Sequence, residues 1–183
     1  MRVNRHAITQ QDLKRSKEAI EKIKKSNFKI VDGGHSIDDI YKWGIRGARD
    51  GAVALFIDNL LTISAGSMKF DSKPIMYDYF IKRLKALRDE IKIPVILLAH
   101  PNKEGNIAWS TDVENIADIV IFMANFPADE ESINVRGRKV FKINDLAGEH
   151  VIASFQKFRD GPTPTASLDF VKEYQTFKHI RWE

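Results

Sequence analysis

The chain has 183 residues, of which 43% are hydrophobic and 30% are charged. These proportions are typical of one globular domain and exclude general disorder. The longest apolar run, Ile93–Ala99, is far shorter than the ~20 residues of a membrane helix, and the N-terminal residues contain no apolar signal segment. The sequence therefore predicts a cytoplasmic protein with no membrane partner, and the absence of cysteine excludes disulfides and thiolate metal sites.

The net charge of +4 is distributed unevenly along the chain. Residues 1–29 carry nine Lys/Arg and only three Asp/Glu. A basic segment of this kind can bind the phosphate backbone of a nucleic acid by releasing counterions. A solvated helix face has the same composition, so the charge alone leaves both interpretations open.

The predicted elements alternate between helices and apolar strands. Thr9 and Asp12 have the spacing of a capping box, which predicts a first helix that ends near Ser26. Ser36 is the predicted cap of a second helix, and Pro74 lies in the first turn of a third. Apolar runs of strand length occur at Phe28–Val31, Val53–Ile57, Ile93–Ala99 and Ile119–Met123.

These runs predict the fold class. Strands without polar alternation are buried on both faces, as in a parallel sheet covered by helices. The pattern changes from Val140 on. Shorter strands separated by Gly, Pro and Glu predict an antiparallel extension at Val140–Ile143, Val151–Phe158, Ala166–Phe170 and Thr176–Ile180. We therefore expect a single α/β domain with an N-terminal basic helix (1–27), an α/β core (28–124) and a β-rich extension (125–183).

Polar residues follow two of the apolar runs, where an open α/β sheet binds its ligands. Asp58 ends one strand, and a carboxylate there can hold Mg²⁺ beside a nucleotide triphosphate. An Asp that only closes a turn would look the same. His100 ends the next strand and could contact either a phosphate or a backbone carbonyl.

A basic pair precedes a tight turn in the extension. Lys157 and Arg159 are two residues apart on a predicted strand, so their side chains point the same way, and Gly161-Pro162 then turns the chain. Such a pair is either ordinary surface or an arginine finger that acts on a neighbouring subunit.

Four segments, in order, resemble one family: ALFIDNLLTIS, IPVILLAHPNKEG, STDVENIADIVIF and QKFRDGPTPTASLDF. They are similar to the RecA-type motor domain of hexameric replicative helicases of the DnaB type, and more closely to the mitochondrial helicase Twinkle and phage primase-helicases. The resemblance covers about Phe28 to Phe177. It implies a partial RecA-like core, with a mainly parallel sheet, flanking helices and an antiparallel extension, in a protein of a bacterial or phage-infected cell.

The resemblance also implies roles for individual residues. Asp58 matches the Walker B aspartate that orders Mg²⁺. His100 matches the position that contacts the γ-phosphate, which is Gln in many relatives and His in the Twinkle-like ones. Lys157 and Arg159 match the basic pair that reaches the ATP site of the neighbouring subunit in a hexamer, and Arg159 is the finger.

Two loops match those that hold single-stranded DNA in the central channel of the ring. They span roughly residues 64–72 and 101–112. Their candidate DNA-binding residues are Lys69, Lys73, Asn102 and Lys103. Basic loop residues that neutralise phosphates need no base readout.

The sequence departs from the family where ATP is held, because none of its ten glycines is followed by Lys and the Gly-rich phosphate-binding motif is therefore missing. We expect ATP and Mg²⁺ to bind only in a complete ring, and an apolar face of the sheet to be exposed. The chain is then the C-terminal part of an ATP-dependent helicase. The alternatives are a self-standing, non-catalytic relative that binds DNA or joins a helicase ring, and another RecA-type ATPase such as a recombinase or clock-protein relative.

Overall fold

The computed structural model describes residues 9–33, 35–100, 115–135 and 137–182. The helices in these ranges are α1 (Gln10–Lys25), α2 (Ile37–Arg49) and α3 (Lys73–Ile91), with a short 3-10 helix at Leu60–Thr62. The strands are β1 (Leu55–Ile57), β2 (Val95–Leu97), β3 (Ile119–Asn125), β4 (Ser132–Val135), β5 (Arg138–Phe141), β6 (Glu149–Phe158), β7 (Thr165–Val171) and β8 (Thr176–Trp182). The described residues divide into two compact units, one comprising residues up to 70 together with 86–100, and the other comprising 71–85 together with the residues from 115 onward.

Both predicted helix caps are confirmed. The side chain of Thr9 accepts the backbone N–H of Asp12 at 3.1 Å, and the carboxylate of Asp12 accepts the backbone N–H of Thr9 at 3.0 Å. The same reciprocal pair joins Ser36 and Asp39 at the start of α2. These bonds occupy N–H groups that a helix terminus leaves without an intrahelical acceptor.

The first unit contains a parallel sheet of two strands, β1 and β2. Leu55 lies opposite Val95 and Ile57 opposite Leu97. Helix α2 packs closely on this unit, because a Cβ added at Gly44 would lie 2.7 Å from Cδ2 of Leu87 and 3.3 Å from Cδ2 of Leu55. A side chain at this position would therefore force Leu87 to shift, so the glycine permits the close approach of the helix.

One face of this sheet carries apolar side chains that are exposed in the described part of the chain. Phe56 of β1 is 64% exposed and Ile96 of β2 is 38% exposed. The expectation of an exposed apolar face is confirmed, and the prediction that these strands are buried on both faces is wrong. Phe28–Val31 also forms no strand. A strand needs a neighbour for its backbone N–H and C=O groups, and among the described residues the parallel sheet has only β1 and β2.

The second unit contains an antiparallel sheet with the strand order β3-β6-β7-β8 and a hairpin of β4 and β5. The prediction placed the apolar run of β3 in the parallel sheet. Instead β3 pairs antiparallel with β6, with Ile121 opposite Phe155. The predicted antiparallel extension is confirmed, and its core cluster consists of Phe126, Val140 and Ile152.

The fold class is therefore α/β, with a parallel sheet in one unit and antiparallel sheets in the other. No helix in the part of the chain that the structure describes is long and apolar enough to cross a membrane.

Candidate functional site

Asp58 and His100 lie at the same edge of the parallel sheet. Each follows the carboxyl end of a strand, Asp58 after β1 and His100 shortly after β2. The two strand ends continue to pair beyond the ladder, since Leu98 donates its N–H to the carbonyl of Ile57 at 3.0 Å. Both side chains are exposed, so a ligand can reach them from solvent.

Asn59 connects these two strand ends. Its side-chain Nδ2 lies 3.3 Å from Nε2 of His100, and its Oδ1 accepts the N–H of Leu61 at 3.0 Å. The peptide between Asp58 and Asn59 is cis. Asn59 was not among the residues predicted from the sequence. The available signal was its place directly after Asp58, but its partner is 41 residues away in the chain.

The side chains at this edge of the sheet can bind a magnesium ion only if a nucleotide supplies further oxygen ligands. Asp58 supplies one exposed carboxylate, and the described ranges contain no group of three His, Cys, Asp or Glu that could hold a metal. Mg²⁺ in nucleotide sites is bound by one or two carboxylates plus phosphate oxygens and waters. A single carboxylate beside a phosphate is therefore sufficient, and a metal bound by protein ligands alone is not expected here.

Lys157 and Arg159 both bind the segment that precedes β3. Lys157 donates from Nζ to the carbonyl of Asn115 at 2.9 Å. Nη1 of Arg159 lies 2.5 Å from Oδ1 of Asp118, and the backbone N–H of Arg159 donates to the carbonyl of Asp118 at 2.9 Å. The two basic side chains thus reach the same neighbouring segment, but Arg159 lies in the turn after β6 and not on the strand.

A glycine fixes the turn that follows them. A Cβ at Gly161 would lie 2.9 Å from the ring of Phe158, the last residue of β6. Arg159 lies between these two residues in the turn, with its side chain about half exposed. The turn therefore holds Arg159 at the tip of β6.

The first candidate DNA-binding loop, residues 64–72, is anchored at its base. Ser64 donates its N–H to the carbonyl of His35 at 3.0 Å and accepts the N–H of Ile37 at 3.3 Å. Lys69 is exposed within the loop, and Lys73 is exposed at the start of α3. The predicted residues of the second loop, Asn102 and Lys103, lie outside the described residues.

The structure therefore places the predicted residues in two pairs. Asp58 and His100 lie together in the first unit, and Lys157 and Arg159 lie together in the second. Asp58 and His100 follow the ends of two paired strands, whereas Lys157 and Arg159 lie at the end of one.

The family model of the DnaB-like helicase C-terminal domain matches residues 1–179 of this sequence. The chain belongs to this family. It is also 27% identical over 137 residues to the replicative DNA helicase DnaC of Bacillus subtilis (strain 168), and the match covers 69% of this chain but only 28% of that helicase.

Solved structures show the same fold. A DnaB-like replicative helicase, studied for its interactions with primase, superposes with a TM-score of 0.77 at 22% identity over 99% of this chain and 44% of that one. A separately solved ATPase domain also gives a TM-score of 0.77, at 24% identity over 94% of this chain and 62% of that one. A KaiC-like protein of Pyrococcus horikoshii OT3 gives 0.58 at 16% identity, over 94% and 71% of the two chains. The chain thus spans less than half the length of the Bacillus helicase and of the DnaB-like helicase.

Proposed function

We propose that this chain forms the C-terminal part of the motor domain of a replicative DNA helicase, in which ATP binds between the subunits of a hexameric ring. The observation that carries the proposal is the shared sheet edge at which Asp58 and His100 follow two paired strands, and where Asn59, the residue after Asp58, contacts His100. The family membership and the bacterial relative support a helicase of a bacterial or phage-infected cell, acting in the cytoplasm.

Asp58 and His100 act on the nucleotide of their own subunit. The carboxylate of Asp58 orders Mg²⁺ and its waters beside the phosphates, because a hard cation prefers oxygen ligands. The ring of His100 contacts the γ-phosphate and senses whether it is present. The exposure of both side chains supports these roles, since neither is enclosed by the chain itself.

Arg159 acts on the nucleotide of the neighbouring subunit. A guanidinium at the tip of a strand can reach across a subunit boundary and stabilise the charge that develops on the transferred phosphoryl group. Lys157 accompanies it from the end of β6. Their positions at the end of β6 support this role, with Arg159 about half exposed.

Single-stranded DNA is the proposed partner of the loop at residues 64–72. Lys69 and Lys73 are exposed and can neutralise backbone phosphates without reading bases. The anchoring of Ser64 to the start of α2 supports a loop whose base is fixed while its tip contacts a ligand.

The first experiment is to read the source DNA upstream of the Met1 codon, in frame, for roughly a hundred codons. We expect an open frame that encodes Gly-x-x-x-x-Gly-Lys-[Ser/Thr], and the longer protein should show ATPase activity that single-stranded DNA stimulates. A stop codon directly upstream would contradict the proposal. Together with DNA binding by this chain alone, it would favour a self-standing, non-catalytic relative.

Two variants of the longer protein then test the site. Asp58→Asn should remove Mg²⁺-dependent turnover. Arg159→Ala should lower DNA-stimulated turnover by about 10³-fold or more while nucleotide affinity is retained, because a finger acts on the transition state. Arg49→Ala, at the exposed end of α2, is the matched control and should keep full activity. An equal loss of nucleotide binding in Arg159→Ala would assign that residue a structural role.

A further inference from the structure

We propose that Asn59 is a positioning residue that sets the tautomer of His100, so that the ring presents its Nδ1–H as a neutral hydrogen-bond donor. The inference about the tautomer depends only on contacts within this chain. The use of that donor on a γ-phosphate rests on the proposed function.

The orientation of the Asn59 amide is fixed by a backbone group. Oδ1 accepts the N–H of Leu61 at 3.0 Å, and only the carbonyl oxygen of an amide can accept this hydrogen. The NH₂ group must therefore face His100, where Nδ2 lies 3.3 Å from Nε2. The assignment of the amide oxygen and nitrogen thus follows from the hydrogen-bond network.

The tautomer of His100 follows from this orientation. The amide NH₂ group is a donor and has no lone pair to offer, so Nε2 must be the acceptor in the contact. In a neutral imidazole one ring nitrogen accepts and the other carries the proton. The proton of His100 therefore resides on Nδ1.

The turn around Asn59 holds the amide in place. The backbone N–H of Asn59 donates to Oγ1 of Thr62 at 3.2 Å, and this hydroxyl donates to the carbonyl of Asn59 at 2.8 Å. Leu60 donates its N–H to the carbonyl of Leu98 at 2.9 Å, which ties the turn to the chain leading to His100. Both partners of the Asn59–His100 contact are therefore attached to the same pair of strands.

The tautomer decides what His100 can offer an anion. With the proton on Nδ1, the ring donates one neutral N–H, as the side-chain amide of a Gln does. With the proton on Nε2, the contact with Asn59 would be lost and Nδ1 would present a lone pair to the phosphate. Through its contact with Asn59, His100 thus offers an anion a neutral N–H donor, as a Gln side chain does.

The test is a long-range ¹H–¹⁵N NMR spectrum of the full chain with ¹⁵N-labelled histidine. The sequence has five histidines, and His100→Gln identifies the signals of His100 by their loss. We expect an unprotonated, pyridine-like Nε2 and a protonated, pyrrole-like Nδ1. A ring with its proton on Nε2 in the parent chain would overturn the proposal.

Two isosteric exchanges sharpen the test. Asn59→Asp keeps the acceptor for the N–H of Leu61 but replaces the NH₂ group by an oxygen. Nε2 of His100 then faces an acceptor and should carry a proton, so the spectrum should show Nε2–H. As a control, Asp58→Asn replaces a carboxylate oxygen by an NH₂ group at the preceding residue. The His100 signals should then show the same tautomer as in the parent chain. Asn59→Ala, which removes the amide, should lose the single-tautomer pattern. Retention of the parent pattern in both Asn59 variants would contradict the proposal.

The spectrum needs no nucleotide, so its result is independent of ATPase activity. If the longer protein proves inactive, the proposed function fails while the spectrum still decides the role of Asn59. If the longer protein is active, Asn59→Asp should lower its DNA-stimulated turnover about tenfold or more, as loss of an orienting partner commonly does. Full activity with an altered tautomer would contradict the use of Nδ1–H on the phosphate.

Discussion

The guanidinium of Arg159 is held by the carboxylate of Asp118, with Nη1 and Oδ1 2.5 Å apart. Both residues belong to the second unit, and the pair joins the turn after β6 to the residue before β3. An arginine that acts on the nucleotide of a neighbouring subunit must leave such a partner first. The strength of this ion pair therefore determines how readily Arg159 can be released.

Asp118→Asn should change the free energy of unfolding of this chain by less than about 1 kcal/mol. The two side chains are 49% and 39% exposed, and ion pairs open to solvent contribute about 0–1 kcal/mol. The backbone bond from Arg159 to the carbonyl of Asp118 remains in this variant. Urea denaturation followed by circular dichroism measures the change.

Arg159→Met is the companion variant, because it keeps most of the side-chain length and removes the charge. It should match Asp118→Asn in stability. A loss of several kcal/mol in both variants would show that Arg159 is bound too firmly to serve as a finger.

The sequence predicted those features that depend on residues close together in the chain. The caps at Thr9 and Ser36 each involve a partner three residues away, so the pattern of residue types suffices. The meeting of Asp58 and His100 was predictable by a different rule, since parallel strands end at the same edge of a sheet.

Features that depend on the partner of a segment were not predictable. The apolar run of β3 is compatible with either sheet, and only its pairing with β6 decides that it is antiparallel. The strand predicted at Phe28–Val31 is absent because an apolar run forms a strand only beside a neighbour. The contact of Asn59 with His100 joins residues 41 positions apart, and no local pattern marks it.

Gly44→Ala and Gly47→Ala should have opposite effects on stability, although both replace a glycine inside α2. Alanine is favoured over glycine in a helix by roughly 0.5–1 kcal/mol. At Gly47 the new Cβ meets only Cβ of Ala52 at 3.8 Å, so this gain should be measured. At Gly44 it would lie 2.7 Å from Cδ2 of Leu87, which is fully buried and has no open side to move to.

We therefore expect Gly44→Ala to be less stable than Gly47→Ala by about 1–3 kcal/mol, which is the usual cost of overpacking. Thermal and urea unfolding of the two variants measure the difference. Equal stabilisation by both would show that α2 packs more loosely on Leu87 than the structure indicates.

Acidification should weaken the start of α2 through Asp39. The hydroxyl of Ser36 donates a hydrogen bond to the carboxylate of Asp39, and the backbone N–H of Ser36 donates a second one. These bonds, of which the hydroxyl's has the larger effect, hold the pKa of Asp39 below its ordinary value of 3.8. A carboxyl whose pKa is lower in the folded state stabilises the fold above its unfolded pKa, and this contribution is lost as the pH falls through the folded pKa. Asp39→Asn should therefore lose less stability than the parent chain between about pH 5 and pH 3.

Ser36→Ala tests the cause of this pH dependence. It removes the hydroxyl that donates to the carboxylate at 2.6 Å and leaves Asp39 in place. Urea midpoints measured at several pH values should show part of the flattening expected for Asp39→Asn, because the backbone N–H of Ser36 still donates to the carboxylate. An acid dependence equal to that of the parent chain in both variants would contradict the assignment.

Ser167→Ala should destabilise the second unit by about 1–3 kcal/mol. Nδ1 of His150 accepts the N–H of Ile143 at 3.3 Å, so the proton of the neutral ring lies on Nε2, which donates to Oγ of Ser167 at 3.0 Å. Both residues are buried, Ser167 completely, and the ring also stacks on Phe126 with the centroids 4.7 Å apart. The substitution removes this buried hydrogen bond, and removing one partner of a buried hydrogen bond costs about 1–3 kcal/mol. Ser16→Ala, on the exposed face of α1, is the control and should change stability by less than about 0.5 kcal/mol. A similarly small effect of Ser167→Ala in urea denaturation would show that the bond between His150 and Ser167 contributes little to the stability of the sheet.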